Sequence, residues 1–84
     1  MLKVLFFGRL REELGCDALQ IPWEEGAEKL DSLQQLLCDQ HGQKWHAALH
    51  QHNIIRAVNR QVVSGNPVLE DGDEVAFYPP VTGG

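Results

Sequence analysis

The sequence predicts an α+β fold in which a mixed β-sheet packs on one long helix and runs out into an extended Gly-Gly tail. Three observations predict it. Leu30, Leu33 and Leu37, with the adjacent Leu36, form one apolar stripe at helical spacing. Short β-rich runs stand near both ends, at residues 2–7 and 74–78. At 84 residues, 43% hydrophobic and 23% charged, the chain has globular composition and room for one core.

Residues 2–7 form the first strand, which stops at Gly8. With Lys3 in water, the period of two turns Leu2, Val4 and Phe6 inward and leaves Leu5 and Phe7 on the solvent face, where a large aromatic is unexpected. Residues 9–14 read as a short helix, since Leu10 and Leu14 are four apart and Gly15 follows as a stop. Residues 18–22 alternate weakly through Leu19 and Ile21 and end at a proline, a second strand. Residues 23–26 read as a surface loop.

Residues 28–41 are the long helix, acidic at its start through Glu28 and Asp31 and ended by Gly42, with no Ser or Thr to cap it. Residues 44–50 add a further turn or two, with Trp45, Ala48 and Leu49 inward. Residues 54–58 and 61–63 make a hairpin about Asn59-Arg60, although Asn-Gly would be the stronger turn signal. Residues 64–67 are a loop and residues 70–73 a turn built on Asp71-Gly72. The last strand, residues 74–78, puts Val75 and Phe77 on one face and Glu74, Ala76 and Tyr78 on the other. A mixed sheet with one helix across a face is the economical packing of this order, the arrangement called a β-grasp, as in ubiquitin. Residues 1–78 are the expected domain and residues 79–84 a projecting tail.

Composition narrows the function. The net charge is −5 and the seven basic residues are scattered singly, so no stripe exists to neutralise phosphates and a nucleic-acid partner is not expected. A basic protein partner suits an acidic domain better. No run approaches a membrane span, and the N-terminal residues read as a strand rather than a signal peptide, which points to the cytoplasm. Cys16 and Cys38 have no metal or disulfide spacing and are expected to be reduced. His46 and His50 are i, i+4 among four histidines between His41 and His52, yet HExxH is absent, so no metal is expected and a solvated face is. The acidic pairs lack EF-hand spacing, no Gly-rich phosphate loop follows a strand, and Cys38 has no evident histidine partner. Nothing assembles an active site within the chain.

The tail is different. Pro79-Pro80 restricts φ at two successive residues and favours an extended course. From Pro80 to Gly84 it reaches at most about 17 Å. Gly83 and Gly84 lack Cβ atoms and pass a constriction that other residues would not. A terminal carboxylate is ionised at neutral pH and attacks an activated phosphate without a general base.

Lys3-Val4-Leu5-Phe6-Phe7, Ala57-Val58-Asn59 and the run from Asp71-Gly72-Asp73-Glu74 to Pro79-Pro80-Val81-Thr82-Gly83-Gly84 resemble the MoaD family, the small sulfur-carrying subunits of molybdopterin synthase. The resemblance spans essentially the whole chain and implies a β-grasp fold and a non-catalytic role. It implies that an ATP- and Mg-using, E1-like activating enzyme adenylates the Gly84 carboxylate, and that a persulfide donor converts it to a thiocarboxylate. Pro80, Val81, Thr82 and Gly83 would then thread the large subunit of a two-plus-two heterotetramer. There the sulfur would pass to cyclic pyranopterin monophosphate, forming the molybdopterin dithiolene. No cofactor is implied for this chain itself. Phe7, Val62 and Tyr78 match the family's docking surface, with Tyr78 where phenylalanine is common. Phe7 and Tyr78 covering each other at a strand end is the other reading of the same parity. A carrier for another pathway such as thiazole synthesis, a ubiquitin-like modifier and an interaction module with an inert tail are the alternatives.

Overall fold

The computed structural model describes residues 1–24, 27–51 and 53–80. Glu25, Gly26, His52 and the tail residues Val81, Thr82, Gly83 and Gly84 lie outside the described residues. The elements run β1 (Leu2–Phe6), α1 (Arg9–Leu14), β2 (Ala18–Ile21), α2 (Leu30–His41), α3 (Gln43–Leu49), β3 (Ile55–Val58), β4 (Gln61–Val63) and β5 (Glu74–Tyr78). The five strands form one sheet in the order β2-β1-β5-β3-β4. β1 and β5 pair in parallel and every other pair is antiparallel, so the sheet is mixed as expected.

Strand parity places the core. Leu2, Val4 and Phe6 of β1 and Val75 and Phe77 of β5 are fully buried on one face, against Leu30, Leu33 and Leu37 of α2. Phe6 stacks on Phe77 at 5.8 Å between ring centroids and meets the edge of Trp45 at 5.2 Å. Trp45, Ala48 and Leu49 of α3 and Leu10 and Leu14 of α1 close the ends of this core.

The helix differs in detail from its sequence reading. Leu36 is only partly buried, while Gln34 and Cys38 are buried in α2 beside the leucines. Gln34 is tolerated because its Nε2–H donates to the Leu49 carbonyl at 2.6 Å and its Oε1 accepts from Arg56 at 3.0 Å. α2 starts at Leu30, two residues later than the sequence suggests, and its cap comes from a distant loop. Asn66 Oδ1 accepts from the Asp31 N–H at 2.7 Å, and the Pro67 carbonyl accepts from the Leu30 N–H at 3.0 Å. Two orphan donors of the first turn are thereby satisfied.

Asn59-Arg60 does make the hairpin, with both residues at positive φ, 50° and 69°. Asn59 anchors that turn to the next strand: its Oδ1 accepts from the Glu74 N–H at 3.0 Å and its amide donates to Asp73 at 2.9 Å. Among the described residues no helix is long and apolar enough to cross a membrane.

Replacing Asn66 by Ala should remove the remote cap and lower stability by about 1 kcal/mol in urea unfolding. The Asp31 amide should gain hydrogen-exchange rate in the same variant. An unchanged midpoint and exchange rate would deny the cap its role.

Candidate functional site

The core face uses alternate residues of each strand, and the remaining ones build a second surface. Register assigns them. Phe6 pairs with Phe77, so Phe7 and Tyr78 follow as neighbours beyond the pair. Tyr78 lies opposite Ile55, Ala57 opposite Ala76, and Val62 opposite Ala57. The outer face therefore collects Phe7, Tyr78, Ile55 and Val62 around two alanines, which are themselves buried at 1% and 5% exposure.

Phe7, Gly8, Ile55, Val62, Tyr78, Pro79 and Pro80 line an open apolar hollow of about 640 Å³. Phe7 and Tyr78 stack with centroids 4.7 Å apart and planes 7° from parallel. Such a pair is worth about 0.5–1.5 kcal/mol beyond its area. The stacking does not hide the patch, because Phe7 stays 36% exposed and Val62 72%. The two rings thus cover each other and still present a surface.

The chain beyond β5 is seated by a close approach. Gly8 has φ 59° and ψ −143°, a conformation open to glycine. A Cβ there would lie 2.9 Å from Pro79 Cγ, so Pro79 rests directly on the turn after β1. Further along the same outer face the chemistry changes to charge. Lys3 lies beside Glu74 in register, and Arg60 Nε is 3.8 Å from Glu74 Oε1.

The structure brings together Phe7, Val62, Tyr78 and Pro80 of the sequence-assigned residues, while Val81, Thr82, Gly83 and Gly84 lie outside the described residues. Ile55 and Gly8 were missed, and Pro79, read from the sequence as the start of the tail, also lines the hollow. Ile55 was concealed by Arg56, which parity alone would send to solvent. Instead Arg56 points to the helix side, where its guanidinium bonds Asp31, Gln34 and the Gly65 carbonyl.

Among the described residues no group of three or more His, Cys, Asp or Glu side chains is placed to hold a metal ion. His46 and His50 stack at 4.2 Å, and His41 stacks on Trp45 at 3.9 Å. One sequence expectation is corrected. Cys38 does have a histidine neighbour, since His50 Nδ1 lies 3.8 Å from its Sγ. The turn at Gly42 folds α3 back and closes twelve residues of separation. Burial first, and then the adjacent Asp39 carboxylate, push the Cys38 thiol above its ordinary range, so proximity to the imidazole does not make it a thiolate at neutral pH.

Comparison with known proteins follows the same lines. The profile of the ThiS family matches residues 4–84. The molybdopterin synthase sulfur carrier subunit of Escherichia coli is 43% identical over 84 residues, covering 100% of both chains. A solved complex of subunits 1 and 2 of the molybdopterin-converting factor from Helicobacter pylori contains a similar chain, 27% identical with a TM-score of 0.68, covering 99% of this chain and 97% of that one. SAMP1 from Haloferax volcanii, 21% identical, superposes with a TM-score of 0.77 over 99% of this chain and 98% of its own, and shows the shared β-grasp fold.

Cys38, 3% exposed, should react with iodoacetamide more slowly than the partly exposed Cys16 in the native protein, and at a similar rate in denaturant. Because the folded state holds the Cys38 proton more tightly, its contribution to stability is complete below the ordinary thiol range and fades as pH rises through the raised value. Mass mapping of the alkylated sites checks the first point, and urea unfolding across pH the second. Equal native rates would contradict the assigned burial.

Proposed function

The chain belongs to the ThiS family, and from that premise we propose that it is the sulfur-carrier subunit of a molybdopterin synthase. The observation that carries the proposal is the 43% identity to the E. coli sulfur carrier subunit across the full length of both chains. The exposed hollow beside Pro79 and Pro80 supports it, since it gives a partner an apolar grip at the root of the tail.

On this reading the chain is a substrate and a subunit, not a catalyst, and holds no cofactor. The Gly84 carboxylate attacks the α-phosphorus of ATP on an activating enzyme, which supplies Mg, and pyrophosphate leaves. The acyl-adenylate turns a poor electrophile into a good one. A persulfide sulfur then attacks the acyl carbon and expels AMP, and a thiol reduces the acyl disulfide to the thiocarboxylate. The soft sulfur sits at the end of a thin stalk, Pro80-Val81-Thr82-Gly83, that enters the large subunit. Transfer to cyclic pyranopterin monophosphate builds the dithiolene, and two charged carriers serve each product. Phe7, Val62 and Tyr78 dock the carrier in a two-plus-two assembly in the cytoplasm.

The test is a single-turnover reconstitution. Chain bearing a Gly84 thiocarboxylate, mixed with the synthase large subunit and the cyclic pterin, should yield dithiolene at half the carrier concentration. No product with the thiocarboxylate intact by mass would move the reading to another sulfur pathway. Deleting Gly84 should abolish adenylation without changing the fold. Replacing Phe7 with Ala should weaken large-subunit binding by about 1 kcal/mol or more, measured by calorimetry. Undiminished affinity would remove Phe7 from the docking surface.

A further inference from the structure

Five large hydrophobic side chains are exposed among the described residues: Met1, Phe7, Trp23, Val62 and Val68. Phe7 and Val62 belong to the hollow at the tail root. The other three lie at the opposite pole, for a reason of register. β1 and β5 run parallel and Leu2 pairs with Ile21, so Met1, Trp23 and the turn before β5 meet at the strand ends remote from Phe7 and Tyr78.

Residues 68–72 hold the three together. The Trp23 indole N–H donates to the Leu69 carbonyl at 3.1 Å, and the Gly72 N–H donates to the Met1 carbonyl at 3.0 Å. Val68 is part of the segment itself, bridged to Lys29. Trp23 is therefore oriented by a hydrogen bond yet 42% exposed, and Val68, the residue before its acceptor Leu69, is 68% exposed. An aromatic whose orientation is already restrained loses little freedom on binding.

The charge on these segments is one-sided. Glu24, Glu28 and Glu70 are exposed and, among the described residues, make no ion pair. Asp71 pairs with the Met1 ammonium group, and Asp73 is held by Asn59 and the Glu70 N–H. Among the described residues of these segments five carboxylates, Glu24, Glu28, Glu70, Asp71 and Asp73, thus stand against two cations, Lys29 and the N-terminus.

We propose that the Trp23–Val68 surface is a second docking site, for a basic protein segment that offers an apolar side chain flanked by lysine or arginine. Charge complementarity selects this occupant. An anionic bilayer or a nucleic-acid backbone would be repelled by the acidic rim, and so would a second copy of a chain of net charge −5. The site stands apart from the tail root by the length of a five-residue strand, about 17 Å. A partner bound there leaves the hollow beside Pro79 and Pro80 uncovered, so the chain can be held at one pole while the other is engaged. The proposal is independent of the sulfur-carrier reading.

The test titrates the isotope-labelled full chain with a synthetic peptide of alternating lysine and leucine, and with its glutamate–leucine counterpart. The lysine peptide should shift the Trp23 indole, Val68 and Gly72 resonances, and bind more weakly as salt is raised. Trp23→Ser should lower its affinity about tenfold. Val68→Ser, a change at an exposed position, should lower it too and guards against a folding defect in the first variant. Shifts centred on Phe7, Val62 and Tyr78, equal binding of the glutamate peptide, absence of binding, or unchanged affinity in both variants would overturn the proposal.

Discussion

Parallel pairing of β1 with β5 is the constraint on which the other features rest. It joins residues near the two ends of the chain, with Lys3 to Phe6 in register against Glu74 to Phe77, and it occupies the middle of the sheet. Closing so long a loop is entropically expensive, and the return comes from burying Phe6 and Phe77 against each other and Phe6 against Trp45. The same register sets Phe7 beside Tyr78 and Gly8 beneath Pro79. A slip of one residue would turn both aromatic pairs to the wrong faces.

The helix layer is fixed by polar ties as much as by its leucines. Asn66 and Pro67 receive the first N–H groups of α2, and Arg56 reaches from β3 to Asp31, Gln34 and Gly65. Apart from the Arg56–Gly65 contact, each tie joins segments far apart in sequence. A charged side chain on the core-facing side of a strand is acceptable because its guanidinium is largely partnered and sits near the sheet edge. In a domain of 84 residues, with few apolar groups to spare, such ties set which way the helix lies.

The molecule therefore separates two duties by face. One side of the sheet is spent on the core, and the other is left apolar near Pro79 and charged near Lys3, Glu74 and Arg60. On the proposed reading the catalytic work belongs to the partners. A carrier needs a recognisable surface next to a thin stalk more than it needs a pocket of its own.

Much of this was legible in the sequence. Period-two and helical patterns depend on neighbours within a few residues, so β1, α1, the hairpin and the inward set Leu2, Val4 and Phe6 could be read locally. The exposure of Phe7 followed from Lys3 by parity, and family resemblance drew Val62 and Tyr78 to it. What tertiary structure alone decided depends on distant partners. Asn66 as the cap of α2, Arg56 turned toward the helix, Ile55 on the outer face, His50 beside Cys38 and the gathering of Met1, Trp23 and Val68 at one pole all require the β1–β5 register and the turn at Gly42. Local pattern reports which side of an element a residue prefers, whereas only the closed fold determines what stands opposite it, because long-range pairing carries no signature in the spacing of either segment.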